Sequence, residues 1–322
     1  MAGKTFFLFP GQGAQYSGMA LDFLESGSAA VKALFDSASA ICGKDMKALV
    51  QSEADVLKRT DVSQPVITVT NLAAAAYLAE KGVAPAGCAG FSLGEYAALA
   101  VAGVITTEDC FFLVNQRGKA MQAAVDEMEA RGTSSGGGNI PGMAAVMGLE
   151  PEKVEALIAE WKKTNAAVKE LYAANINSSK QTVVGGTAEA LTAAEPLFLA
   201  EGARRYVRLQ VNCPFHTPLL AGAAAQFQPF LDKVTFNNPK IPLFSNVSGK
   251  QVSSGEEAKQ RALAQITSPV RWLDELRCIA ALGGIDRLLE VGPGRVLQGL
   301  WKDSGSELPC LAAGKVEDID KL

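Results

Sequence analysis

Gly90-Phe91-Ser92-Leu93-Gly94 stands where a small-residue run, 86–91, that reads as a buried strand meets a stretch, 93–102, that reads as a helix. A chain that turns this sharply from strand to helix needs small residues at the crossing, and the two glycines supply them. Such a turn pushes the hydroxyl of Ser92 beyond the sheet edge and sets the N–H groups of a helix start beside it. The five-residue pattern alone is also that of a tight turn with no chemistry. The strand before it and the helix after it are the context in which it becomes a nucleophile elbow.

The rest of the chain repeats the alternation. Thr5-Phe6-Phe7-Leu8-Phe9 is an apolar run stopped by Pro10-Gly11, as expected of a buried central strand. Pro65-Val66-Ile67-Thr68-Val69-Thr70 leads into the alanine-rich stretch 71–81, predicted as a buried helix. Buried strands alternating with helices give an α/β fold with a mostly parallel sheet. The character changes at Gly132-Thr133-Ser134-Ser135-Gly136-Gly137-Gly138, which has the composition of a linker. Beyond it the pattern predicts strand 143–149, helix 151–161, strands 171–176 and 181–185, helix 188–201 and strand 204–210. That order, βαββαβ, is the ferredoxin-like unit. Strands at 241–246 and 287–291 and a helix at 296–303 follow, with Gly292-Pro293-Gly294 as a strand-to-helix turn. The expected organisation is a large α/β hydrolase-like domain, 1–128 and 211–322, with a smaller ferredoxin-like subdomain, 129–210, inserted into it.

Composition narrows the function. The 322 residues are 48% hydrophobic, with 30 basic and 34 acidic side chains and a net charge of −4, which argues against a nucleic-acid partner. Six scattered cysteines without a CxxC pair, and no apolar leader, suit reduced thiols in a cytoplasmic protein. No apolar run is expected to span a bilayer, and a monomer is expected. A single histidine in the whole chain leaves too few ligands for a clustered metal site, so neither metal nor cofactor is expected.

A serine hydroxyl near neutral pH needs a base to take its proton. A histidine base can only be His216, in the proline-stiffened segment Asn212-Cys213-Pro214-Phe215-His216-Thr217-Pro218 just after the inserted unit. An isolated histidine is also a common structural residue, but the junction of two lobes is where clefts form.

Taken together, Phe9-Pro10-Gly11-Gln12-Gly13-Ala14-Gln15, Gly90 to Tyr96, Gln116-Arg117-Gly118, Asn175-Ile176-Asn177, Phe215-His216, Gln265 to Trp272 and Glu290-Val291-Gly292-Pro293-Gly294 resemble the malonyl-CoA:acyl carrier protein transacylase family. That family serves type II fatty acid synthesis and is related to polyketide synthase acyltransferase domains. The resemblance runs from end to end of the chain.

It implies that Ser92 is the nucleophile, His216 its general base, and Gln265 the residue whose backbone carbonyl orients the imidazole. It implies an oxyanion hole from the backbone N–H groups of Gln12 and Leu93. Arg117, by composition alone an ordinary surface arginine on a helix, becomes the planar fork that pairs with the malonyl carboxylate. Phe215 resembles the bulky residue that crowds a substituent on the middle carbon. Asn177, with Asn175, shapes the small-domain wall, although paired asparagines at a strand end are as often turn formers. Phe91 departs from the family, which usually carries histidine there. Malonyl-CoA and acyl carrier protein are the implied partners. A serine hydrolase or thioesterase, a trans-acting polyketide acyltransferase and a carrier-docking module without catalysis are the rival readings.

Overall fold

The computed structural model describes residues 4–134 and 139–322. Ten strands occur among them: β1 (Thr5–Phe9), β2 (Pro85–Gly90), β3 (Gly142–Met147), β4 (Leu171–Ser178), β5 (Gln181–Gly186), β6 (Arg205–Arg208), β7 (Phe244–Ser245), β8 (Lys250–Gln251), β9 (Arg287–Glu290) and β10 (Cys310–Ala312). The fold is mixed α/β. Its main sheet is parallel throughout, in the order β10-β9-β1-β2. β1 lies inside this sheet with Phe6, Phe7, Leu8 and Phe9 all buried, which accounts for four consecutive apolar positions rather than alternate ones.

β2 is made of small residues because the chain folds back on it at once. A methyl group on Gly90 would overlap the backbone of Gly94 and Glu95, and one on Gly94 would overlap the carbonyl of Phe9. The glycines are therefore required by close main-chain approach. The left-handed backbone of the turn falls instead on the serine itself, at φ 49°.

A second sheet, β4-β5-β3-β6, is antiparallel. Alternate side chains of β3 serve its two faces. Ala144 and Val146 pack with Val154, Leu157 and Phe198 of the helices Pro151–Thr164 and Ala188–Ala200, while Met143 and Ala145 pack with Val183 and Phe215 on the other face. In β4 an extra residue, Ala174, separates the pairs Ala173↔Val184 and Asn175↔Val183. The bulge breaks the alternation, so that Asn175 faces the same way as Val183. The edge of β4 is tied to the main lobe by backbone bonds from Ile176 N–H to Val270 O and from Val270 N–H to Ala174 O, both 2.8 Å.

Several boundaries differ from those expected. The predicted helix 71–81 begins much earlier, as Thr60–Glu80, with Pro65 inside it. Proline cannot donate to the carbonyl of Asp61, and Lys44 Nζ takes that carbonyl at 2.6 Å, which relieves part of the cost of an interior proline. This helix is also long and apolar enough to cross a bilayer, contrary to the expectation that no run would be. Within the structure 83% of its most apolar stretch is buried inside the protein.

Of the linker expected at 132–138, residues 132–134 belong to the helix Thr107–Ser134, which also runs past the 128/129 boundary read from the sequence, and 135–138 lie outside the described residues. The strand expected at 241–246 shrinks to β7, with Leu243 alone bridging Cys88 of β2.

Candidate active site

A cleft of about 690 Å³ opens between the two sheets. Its floor carries Ser92 and Arg117 at the parallel-sheet lobe, its opposite wall Met143, Val183, Asn175 and Asn177, and the loop 211–217 that joins the lobes brings His216 and Phe215 to it.

Ser92 is 8% and His216 4% exposed, and Ser92 Oγ lies 2.7 Å from His216 Nε2. Both residues have positive φ, 49° and 60°, a region non-glycine residues enter rarely. The loop around His216 is fastened by Thr217 Oγ1 donating to Pro214 O at 2.6 Å and by Asn212 Nδ2 donating to Glu129 Oε1 at 2.7 Å. His216 Nδ1 lies 2.8 Å from the backbone oxygen of Gln265. A carbonyl can only accept, so Nδ1 carries the proton and Nε2 is left to accept from the serine hydroxyl. Burial, and then the charge of Arg117, pull the imidazole down to about 4, against the Gln265 bond that raises it. At neutral pH the ring is uncharged and able to take a proton.

Arg117 sits on the helix Thr107–Ser134 and is 1% exposed, not a surface arginine. Its Nη2 donates to Gln265 Oε1 at 3.0 Å and reaches Ser92 Oγ at 3.4 Å, and its guanidinium lies 5.4 Å from the centre of the Tyr96 ring. Its Nε has no hydrogen-bond partner among the described residues. Burial lowers its pKa from the usual arginine value. A buried, incompletely paired guanidinium beside the Ser92 hydroxyl is a site for a small anionic group.

The Leu93 residue is fully buried and the segment at Gly11 lies against its amide: a Cβ built on Gly11 would come 3.4 Å from Leu93 N. Among the described residues neither the Gln12 nor the Leu93 N–H has a hydrogen-bond partner. The Gln12 side chain points elsewhere, to Thr60 Oγ1 at 3.4 Å. Phe215 is half-buried and packs against both the large core and the cleft face of the second sheet. Asn177 Nδ2 donates to Gln181 Oε1 at 2.9 Å, while its Oδ1 is buried without a partner. Phe91 packs edge-on against Trp272, ring centres 5.4 Å apart.

Three residues at the floor escaped the sequence reading: Glu95, Asn246 and Glu275, all buried. Asn246 Oδ1 accepts from Ser92 N–H at 2.6 Å, its Nδ2 donates to Glu275 Oε1 at 2.7 Å, and its N–H donates to Glu95 Oε2 at 3.0 Å. Gln265 Nε2 joins them, 2.8 Å from Glu95 Oε2. Burial pushes the Glu95 carboxyl up to about 7, and burial together with the Glu95 charge raises that of Glu275 well above the ordinary range. The available signal was Glu275 itself, a carboxylate on the apolar face that Trp272, Leu276 and Ile279 mark out at helical spacing.

Residues 6–318 match the acyl transferase domain family. The chain is 39% identical over 298 residues, 92% of its own length and 91% of the relative's, to a malonyl CoA-acyl carrier protein transacylase of Escherichia coli strain K12. An acyl carrier protein S-malonyltransferase from Vibrio cholerae superposes with a TM-score of 0.88 at 35% identity, covering 99% of each chain. A malonyl-transacylase solved in complex with its type II PKS acyl carrier protein superposes with a TM-score of 0.87 at 33% identity, covering 99% of this chain and 98% of that one. The protein is thus an acyltransferase by fold. It belongs to the malonyl CoA-acyl carrier protein transacylase family.

Proposed function

We propose that the protein moves a malonyl group from malonyl-CoA to the phosphopantetheine thiol of acyl carrier protein, in fatty acid biosynthesis, by way of a malonyl ester on Ser92. The observation that carries the reading is Arg117: a buried guanidinium 3.4 Å from Ser92 Oγ, with Nε unpartnered, beside a serine bonded to a neutral imidazole. A dicarboxylic acyl group supplies the missing anion, and acetyl does not.

In the first half-reaction His216 Nε2 takes the proton of Ser92 Oγ as it attacks the thioester carbonyl. The oxyanion develops toward the N–H groups of Gln12 and Leu93, and the coenzyme A thiolate leaves with the proton from His216. In the second, the carrier thiol gives its proton to His216 and attacks the malonyl ester, and Ser92 recovers its proton as it departs. The Gln265 carbonyl keeps the ring in the required tautomer throughout. Phe215 limits room beside the middle carbon, and Asn177 with its unpartnered Oδ1 offers a polar point on the wall.

The same reading takes the Ser92 turn as a nucleophile elbow and 129–210 as a ferredoxin-like subdomain within a large domain of 1–128 and 211–322. The 2-3-1-4 order of the βαββαβ strands supports it. Six cysteines without a disulfide among the described residues accord with a cytoplasmic enzyme.

Intact-protein mass spectrometry after brief exposure to malonyl-, methylmalonyl- and acetyl-CoA together, followed by peptide mapping, tests this directly. The expected result is a malonyl adduct on the Ser92 peptide that passes to added carrier protein. Release of free malonate in place of transfer would make the protein a hydrolase. Adduct persisting in Ser92→Ala would put the nucleophile elsewhere.

A further inference from the structure

The turn that presents Ser92 runs beyond the edge where another strand could support it. β2 takes a backbone bond from Cys88 N–H to Pro242 O at 2.8 Å, and Leu243 bridges Cys88, but β7 then pairs away with β8. From that point the side chain of Asn246 replaces the missing peptide. Its Nδ2 donates to Gly90 O at 2.8 Å and its Oδ1 accepts from Ser92 N–H at 2.6 Å, so one amide grips the main chain on both sides of Phe91. The second hydrogen of Nδ2 goes to Glu275 Oε1 at 2.7 Å. With a carboxyl accepting at one end and a peptide N–H donating at the other, the amide has one orientation that satisfies it. Asn246 and Glu275 are both wholly buried, so water cannot substitute for either.

We propose that Asn246, oriented by Glu275, is a positioning residue of the reaction: it holds Ser92 in the left-handed conformation that aims Oγ at His216. Serine does not adopt φ 49° readily by itself, and the grip across Phe91 favours it from the N–H side, while Gln265 Nε2 at 3.0 Å and the Glu95 N–H at 3.1 Å donate to the Ser92 carbonyl. The amide touches neither the acyl group nor the imidazole, and acts through the placement of Oγ alone.

The proposal rests on Ser92 as nucleophile. Its test is the rate at which Ser92 is acylated by malonyl-CoA and, separately, labelled by a small uncharged fluorophosphonate, measured per folded enzyme well below the melting temperature. Asn246→Ala should slow both by a common factor of about a hundred, the scale for a reacting atom displaced by about an ångström. KM for malonyl-CoA and the preference over acetyl should stay within about threefold, since Arg117 keeps its place.

Glu275→Leu should slow both reactions about tenfold, and Glu275→Gln, which restores an oxygen for Asn246 Nδ2, should recover most of that loss. A purely structural role would lower the melting temperature and leave both rates alone, and that result overturns the proposal. So does equal slowing in Glu275→Gln and Glu275→Leu, a comparison that still decides if Asn246→Ala fails to fold. Labelling that survives Ser92→Ala would instead sink the nucleophile assignment, independently of how the Asn246 variants behave.

Discussion

The floor of the cleft and the wall facing it are built from different materials. Beneath Ser92, the side chains of Asn246, Gln265, Glu95, Glu275 and Arg117 interlock through hydrogen bonds of 2.7–3.2 Å, and every one of them is buried. Opposite, the second sheet offers Met143, Val183 and two asparagines, and the polar contact of Asn177 is with its own neighbour Gln181. A cross-bonded polar floor fixes directions, because moving one group costs the bonds of several. A wall of apolar side chains and sparsely bonded asparagines fixes shape more than direction. Substitutions in the floor should therefore act on rate, and at Arg117 on charge selection, while substitutions toward the wall act on the size of the acyl group accepted.

The sharpest division is at the imidazole that links the two. His216→Ala should lower acyl-enzyme formation about a thousandfold, within the usual range for loss of a general base, with KM for malonyl-CoA little altered. Stopped-flow or quenched labelling measures it, and a loss below tenfold would remove His216 from the mechanism.

Next, Arg117→Ala should reduce the malonyl-over-acetyl ratio of kcat/KM by roughly ten- to a hundredfold, the worth of about one charge-assisted hydrogen bond. An unchanged ratio in competition assays would assign substrate choice to the wall. The pH profile is a smaller effect. In the proposed cycle the neutral ring is the active form, and with its pKa pulled down to about 4, kcat/KM for acyl-enzyme formation should stay flat as pH falls from 7 and halve only near 4. A break between about 6 and 7 would belong either to a ring far better solvated than its surroundings indicate or to the raised carboxyl of Glu95. Least of all, Phe215→Ala should raise methylmalonyl transfer a few-fold relative to malonyl, the effect of room for about one methyl group. No gain, with malonyl transfer intact, would show that the aromatic ring does not limit the pocket.

Much of this division can be traced to how far each contact reaches along the chain. Ser92 was singled out by the two glycines flanking it, and His216 by being the sole histidine, so chemical type and local spacing were enough to name two side chains that the structure brings to 2.7 Å. β3 was likewise legible as a strand, but which of its residues face the helices and which the cleft was not, because Met143, Ala144, Ala145, Val146 and Met147 are all apolar. The floor was not. Asn246 lies 154 positions from Ser92 and 29 from Glu275, and an asparagine after a strand is too common to signal a grip on a distant turn. The start of the helix at Thr60 was hidden by Pro65, whose usual meaning was overridden by the ammonium of Lys44 at the Asp61 carbonyl. Arg117 was legible as a residue type but its burial was not, since nothing in the helix around it separates a solvated arginine from an enclosed one.

The main-chain contact between Gly90 and Gly94, and between Gly94 and Phe9, has a broader consequence. It locates the helix that follows Ser92 against the sheet by peptide touching peptide, with no side chain in between. At this one crossing, exchanges among Leu, Val and Phe elsewhere in the core have no side chain through which to shift the helix against the sheet. The side-chain route to the serine runs instead through Asn246 and Glu275, whose helix packs into the core by Trp272, Leu276 and Ile279.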